Sequence, residues 1–421
     1  AGPLLDGGRH GLGVEELHRV QERGEERAVA LLGPGGGIER EVERVAAGEV
    51  HDDLSRADPL GLALGETVAL RSTTLPQARD LMAAVYHPGT RRIYLFGGRR
   101  PDGLLTNDVL EFDPATGALG VASVALPTAR AGASAAYDPV TNKIYVFGGF
   151  DASGFELAQI VKYDPVGQSA IAALNNMPTA RALTSTAYDP ATARVYVFGG
   201  RQFGAGTHLN QIIAFNPATE AVTTVSTTLA SGRVETAAVF DPASGDVIVF
   251  GGNATGTWLA DVVAFHPGGS STTLLSPLPS ARAGASALRH PLTGKLYVSG
   301  GEDAGTATAE VLEFDPSTRV TSPRAVSLPS ARTRTAAAAA THDLRFMIFG
   351  GTAAAAGFNQ TLEHVQISSG VFRSAVLDTA NLSQLGTLSW TPAVQADTSV
   401  AVGFSFRAGN VATPGPTWSN A

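Results

Sequence analysis

The chain contains no cysteine, which excludes disulfides, thiolate metal sites and cysteine nucleophiles together. Methionine and tryptophan are scarce, at three each. No run of 18 apolar residues occurs, so no segment has the length and apolarity of a membrane-spanning helix. A basic excess is missing as well. The 30 Lys and Arg are outnumbered by 38 Asp and Glu, giving a net charge of −8. Residues 1–65 hold 7 Arg against 13 acidic residues, so the other 356 carry only about −2. A near-neutral body offers no electrostatic footprint for nucleic acid or an anionic membrane. P-loop, dinucleotide-binding and nucleophile-elbow motifs are also lacking.

What remains is 44% hydrophobic and only 16% charged, the balance of a packed chain. Its 48 glycines follow no collagen-like period, which suits many turns. A block of the form Leu-Pro-x-Ala-Arg recurs, ending at Arg79, Arg130, Arg181, Arg233, Arg282 and Arg332. A glycine pair follows each time, beginning at Gly97, Gly148, Gly199, Gly251, Gly300 and Gly350. Both markers step by 51, 51, 52, 49 and 50 residues. Two markers sharing one irregular spacing define six repeats.

Each repeat reads as four antiparallel strands, A to D. In the second, residues 134–137 are small and apolar, and Asp138 and Pro139 open a turn. Residues 144–147, Ile-Tyr-Val-Phe, form a buried strand ended by the glycines. Residues 159–163 and 169–173 supply the outer pair around a second Asp-Pro turn. This unit resembles the kelch repeat, and the resemblance implies an all-β, six-bladed β-propeller over residues 66–367. Departures exist. Leu119 and Val222 stand where kelch repeats usually carry tryptophan, Ser299 replaces an aromatic, and Ala230-Ser231-Gly232 replaces Pro-x-Ala. Residues 66–74 match the D strands of later repeats, while the sixth repeat ends after strand C. The first strand is therefore expected to complete the sixth blade and remove the open edge.

The flanks follow other patterns. Residues 1–65 lack any Phe, Tyr or Trp, with helical character at 14–32 and 38–47. Three readings stay open for them: a disordered or weakly helical extension, a small docking element, or a mis-chosen start of translation. Residues 368–421 carry three strand-like segments, 371–378, 385–391 and 399–408. They resemble the opening of a β-sandwich module found in secreted bacterial proteins, expected here to be partial. Secretion or cell-surface display is the expected location, although no signal peptide is visible in the chain.

Strand order places the D–A and B–C loops on one face, where variable loops carry function. A residue kept in all six blades does one job six times, so the six arginines are read as structural. Strand C opens with an acceptor for them at Asp108, Gln159, Gln211, Asp261 and Glu310. Positions that differ between blades are better candidates for a ligand. In ligand-binding kelch propellers, which this chain resembles, residues after the glycine pair and two after the arginine line the pocket mouth. By motif position these are Arg99, Phe150, Arg201, Glu235, Asn253, Glu302 and Arg334.

No catalytic residue, cofactor or metal is assigned. The kelch copper oxidases need a cysteine, and His87, His290, His342 and His266 fall at turn positions on separate blades, too scattered for zinc. The Asp-Pro turns lack the run of oxygen ligands that calcium needs. The expected function is a monomeric recognition scaffold for a protein or carbohydrate. The alternative, suggested by a sialic-acid mutarotase among six-bladed kelch propellers, is a carbohydrate-active enzyme using Glu235 or Glu302 as acid–base group.

Overall fold

The computed structural model describes residues 66–366 except 203–205, 292, 343–344 and 355, together with five short strand segments outside that span. Six four-stranded antiparallel sheets succeed one another along the chain. In blade 2, strand A is Ser134–Asp138, B is Lys143–Phe147, C is Ile160–Asp164 and D is Ser169–Ala172. Tyr145 pairs with Ala136 on one side and Lys162 on the other. Strand B is apolar on both faces because neighbouring blades cover both, and Ile144, Tyr145, Val146 and Phe147 are at most 1% exposed.

Strand A of each blade packs against strand A of the next around the axis. Six strands converging there leave little room, and small residues fill it; in blade 6 the whole strand Ala336–Ala340 is alanine. Every blade-to-blade interface holds its own apolar cluster. Ile93, Leu95 and Phe112 of blade 1 meet Ala338, Met347 and Phe349 of blade 6 at the closure. The residue opening each arginine block is buried throughout: Leu75, Leu126, Met177, Leu229, Leu278 and Leu328.

Closure follows the sequence expectation. Strand Glu66–Thr74 pairs antiparallel with strand C of blade 6, Gln360–Gln366, in the register Leu70 to Leu362 and Glu66 to Gln366. Glu66 meets His364 at 2.6 Å and Arg324 of blade 5 at 2.8 Å, and Arg71 meets Glu363 at 2.9 Å. Ionisable side chains thus fasten the closing strand at its first residue and near its middle.

The glycine pairs latch each blade to the next. The amide of Gly149 donates to the Arg181 carbonyl at 3.0 Å, and Gly351 repeats this with Arg79 across the closure. At Gly148 the backbone has φ +59°, and a Cβ would lie 2.2 Å from the Arg181 carbonyl oxygen. Only glycine permits that approach.

A second circuit surrounds the axis. The amides of Leu81, Gly132, Leu183, Glu235, Gly284 and Arg334 each donate to the carbonyl of the same position in an adjoining blade, at 2.7–3.2 Å. Leu81 donates to Arg334, which closes the ring after six members. All six residues are left-handed, including Leu81, Leu183, Glu235 and Arg334 at φ +55 to +60°. That conformation costs a non-glycine residue about 1 kcal/mol or more, offset here by a saturated ring.

The Asp turns hold their own loops. Asp138 accepts the amides of Val140 and Thr141 at 3.2 and 2.8 Å. His290 takes the equivalent place, its Nδ1 accepting the Thr293 amide at 3.2 Å. Burial, with nearby His364 and Arg289 adding to it, pulls the His290 pKa down to about 4. It is therefore a neutral acceptor standing in for a carboxylate.

The flanks form a separate unit. Arg27–Leu31 pairs with Leu17–His18 and with Ala401–Ser405, and Glu41–Val42 pairs with Leu388–Ser389. Strands thus stand at Leu17–His18, Arg27–Leu31 and Glu41–Val42 where helical character was expected, because these segments pair with others; the rest of the readings of 1–65 and of 368–421 as a β-sandwich lie outside the described residues.

Candidate functional site

The six repeat arginines are at most 2% exposed. Each sends Nη1 to the carbonyl of the first glycine of its own blade's pair; for Arg181 the acceptor is Gly199 at 3.1 Å. Each sends a second bond to the first position of strand C. Arg79 meets Asp108 at 2.7 Å, Arg130 meets Gln159, Arg181 meets Gln211 at 3.0 Å, Arg233 meets Asp261 at 3.0 Å and Arg282 meets Glu310. Arg332 completes the set with Gln360 at 2.6 Å and lies 4.2 Å from the Phe358 ring centroid. Burial draws Arg130, Arg181 and Arg332 down to about 10, which still leaves them charged at neutral pH. All of these bonds lie inside the blade, and the Nε of Arg79 and of Arg282 is buried with no partner among the described residues.

The variable positions come together differently. The residue after each arginine bridges the residue after each glycine pair, as Ala182 does with Arg201 and Val234 with Asn253. This brings the D–A and B–C loops into one rim. In blades 3 and 4 the B–C loop then forms a short hairpin that sets His208 opposite Arg201 and Trp258 opposite Asn253. An open cleft of about 400 Å³ lies off the axis here. Its lining includes Leu183, Arg201, His208, Glu235, Asn253, Trp258, Glu302 and Arg334. On the axis, the hydrogen-bonded ring leaves a space of only about 100 Å³ beside strand A.

Gly284 explains why the cleft is lopsided. It occupies the ring position of blade 5 without a side chain, and Arg334 Cγ lies 3.3 Å from where its Cβ would be. Arg334 of blade 6 can therefore cross blade 5 to reach Glu235 of blade 4, at 2.7 and 3.3 Å, and it also bonds Glu302 at 3.0 Å. On the opposite half, Gly132 seats the Leu183 side chain, 2.9 Å from its would-be Cβ, with Phe150 at 3.2 Å. At the ring positions, blades 4 and 6 thus carry charge as Glu235 and Arg334, and blades 1 and 3 carry leucine as Leu81 and Leu183.

Charge within the cleft is closely matched. Arg201 Nε meets Glu156 at 2.8 Å, and that carboxylate is 1% exposed. The Arg334 guanidinium is shared by Glu235 and Glu302. Burial raises the Glu302 pKa, and neighbouring Glu235 adds to this against the pull of Arg334. The Glu235 and Glu302 charges hold Arg334 firmly protonated despite burial, raising its pKa. His208 Nδ1 lies 2.8 Å from the Thr255 amide nitrogen and 3.0 Å from the Asn253 carbonyl oxygen, which fixes the ring against the neighbouring hairpin. Asn253 Oδ1 accepts the Gly256 amide at 2.8 Å, which leaves its Nδ2 as an unspent donor.

Of the seven candidates, Arg201, Glu235, Asn253, Glu302 and Arg334 line this cleft. Arg99 and Phe150 do not. Arg99 is clamped by Asp80 at 2.7 and 3.1 Å, and Phe150 lies beneath Arg201, 5.8 Å from its guanidinium carbon. Sequence reasoning missed Trp258, His208 and Glu156. Trp258 carried a signal, being the sole tryptophan within the repeats and facing Asn253 across a Thr-Gly turn.

The family model of the KLHDC2/KLHL20/DRC7 Kelch-repeats domain matches residues 82–267. A solved structure titled "Structure of YjhT" is similar in fold, with a TM-score of 0.57 and 15% identity, covering 68% of this chain and 95% of that one. No curated protein matches the chain. Residues 66–366 are a six-bladed kelch-type β-propeller, and a likeness at this identity carries the fold alone.

Proposed function

We propose that this kelch-type propeller is a recognition module that binds a protein or carbohydrate partner on the face formed by its D–A and B–C loops. The observation that carries this reading is the division of labour among side chains. The arginines repeated in every blade are consumed by structure, whereas the residues that differ converge from blades 3 to 6 on one cleft. Concave sites with an apolar wall and a few placed polar groups are the usual form of ligand sites. The test is binding to arrays of saccharides and peptides with two variants. Asn253→Asp keeps the Oδ1 that holds the hairpin while removing a donor, and Trp258→Ala removes the wall. Each should weaken binding roughly tenfold or more, in the range of a modest interface contact, with the melting curve of Asn253→Asp unchanged.

A second reading, acid–base catalysis on a sugar, has one observation in its favour: partial burial of the Glu302 carboxyl raises its pKa. Against it, both Glu235 oxygens and one of Glu302 are already engaged by Arg334. NMR of sugar anomerisation decides. Acceleration by the intact protein that Glu302→Gln abolishes would replace the recognition reading.

A further inference from the structure

We infer that the cleft takes an uncharged saccharide and discriminates against its carboxylate-bearing counterpart, a specificity that rests on the recognition reading above. The charges and the unspent hydrogen-bonding groups of the cleft both favour a neutral ligand. Each of the three rim arginines already has a carboxylate: Arg99 has Asp80, Arg201 has Glu156, and Arg334 has both Glu235 and Glu302. With Glu302 ionised the cleft carries one net negative charge among these groups; with Glu302 protonated it carries none. In neither state does it present the net positive charge that an anion requires. An arriving carboxylate would have to compete with Glu156, which is 1% exposed and fixed beneath Arg201. It would also face Glu302 across a partly desolvated space, where like charges repel more strongly than in water.

The groups left over are donors of Asn253 and Arg201 beside the one Glu302 oxygen that Arg334 does not engage. Glu235 has both oxygens occupied and Asn253 has its Oδ1 occupied, while Asn253 Nδ2 has no bond among the described residues. Arg201 engages Glu156 through Nε and has a side chain 38% exposed, with its two terminal nitrogens beyond that bond. Donors whose charge is already matched, beside one unengaged carboxyl oxygen, suit the hydroxyl groups of a sugar, which both accept and donate. The indole of Trp258 and the Leu183 side chain supply the apolar wall on which the C–H face of a pyranose rests. The closed ring of six backbone bonds sets a floor, so the site fits a compact unit that enters from the loop face.

The experiment is calorimetric titration of the full chain with matched pairs: glucose and glucuronic acid, galactose and galacturonic acid, and short neutral and oxidised oligosaccharides. The neutral member should bind about tenfold or more tightly in each responsive pair. Glu156→Gln, which strips Arg201 of its counter-charge, should shrink or reverse that preference. Equal or tighter binding of the uronate by the unaltered protein overturns the inference and leaves the recognition reading standing. Peptide binding that Trp258→Ala removes, with no saccharide bound, also overturns the inference alone. If neither saccharide nor peptide binding responds to Trp258→Ala and Asn253→Asp, both readings fail together.

Discussion

Replacing Arg181 with alanine should destabilise the propeller without touching the cleft. The side chain is fully buried and donates to Gly199 O at 3.1 Å, Gln211 Oε1 at 3.0 Å and Thr179 O at 3.3 Å. Gln211 is half-buried and can turn toward water, so the Gly199 carbonyl is the acceptor left stranded. A buried acceptor without a donor costs about 1–3 kcal/mol, and loss of the packed aliphatic stem costs about 1 more. Relief works the other way. Arg181 is a buried cation with a neutral glutamine for a partner, and burial alone pulls its pKa to about 10. Removing it recovers part of that desolvation cost, so the net loss should fall near 2 kcal/mol, within about 1–3. For a domain of this size that lowers the melting temperature by roughly 2–6 °C. Arg181→Lys should recover less than half, because an ammonium cannot fork to both acceptors. Thermal and urea melts of the three proteins measure it. An unchanged melt together with lost ligand binding would show that the repeat arginines serve recognition, and the division of labour would collapse.

Three further outcomes follow from the same contacts. Stability should fall between about pH 6.5 and pH 4, because unfolded His290 takes a proton near 6.5 while the folded one resists until about 4; the loss is at most about 3 kcal/mol, and His290→Asn should flatten that slope in urea melts at stepped pH. The lowered pKa of Glu66, whose bonds to His364 and Arg324 outweigh its burial, acts in the same direction at lower pH still. A chain beginning at Glu66 should keep the cooperative melt of the propeller, whereas one beginning at Leu75 loses the closing strand, bares strand C of blade 6 and should aggregate by light scattering.

The fold was legible because the same physical demand recurs six times. The glycine pair is required by the approach of the next blade's arginine carbonyl, and the arginine by the strand C acceptor, so both left a spacing that sequence alone exposes. Closure was legible for the same reason, since an unmatched strand at the start and a missing one at the end leave one solution. Strand ends differed by one residue, as at Asp138 and Ala172, where the turn caps extend or trim the pairing. The cleft was only partly legible. Motif position supplies which residues reach the rim, but not which lean together: Arg334 reaches Glu235 only because Gly284 between them has no side chain. Arg99 was lost to Asp80, a partner that no repeat rule marks. Trp258 and His208 sit inside loops of varying length, and only the hairpin register places them opposite Asn253 and Arg201.

The most direct measurement of the central claim reads the cleft itself during binding. Trp258 is the sole tryptophan of the propeller, and Trp390→Phe with Trp418→Phe leaves it as the single indole reporter in the full chain. Titrating that protein with a ligand found on the arrays should shift or quench Trp258 emission saturably, with the same midpoint that calorimetry gives. A ligand that binds by calorimetry while Trp258 emission stays unchanged would sit elsewhere, and the assignment of recognition to this cleft would be wrong.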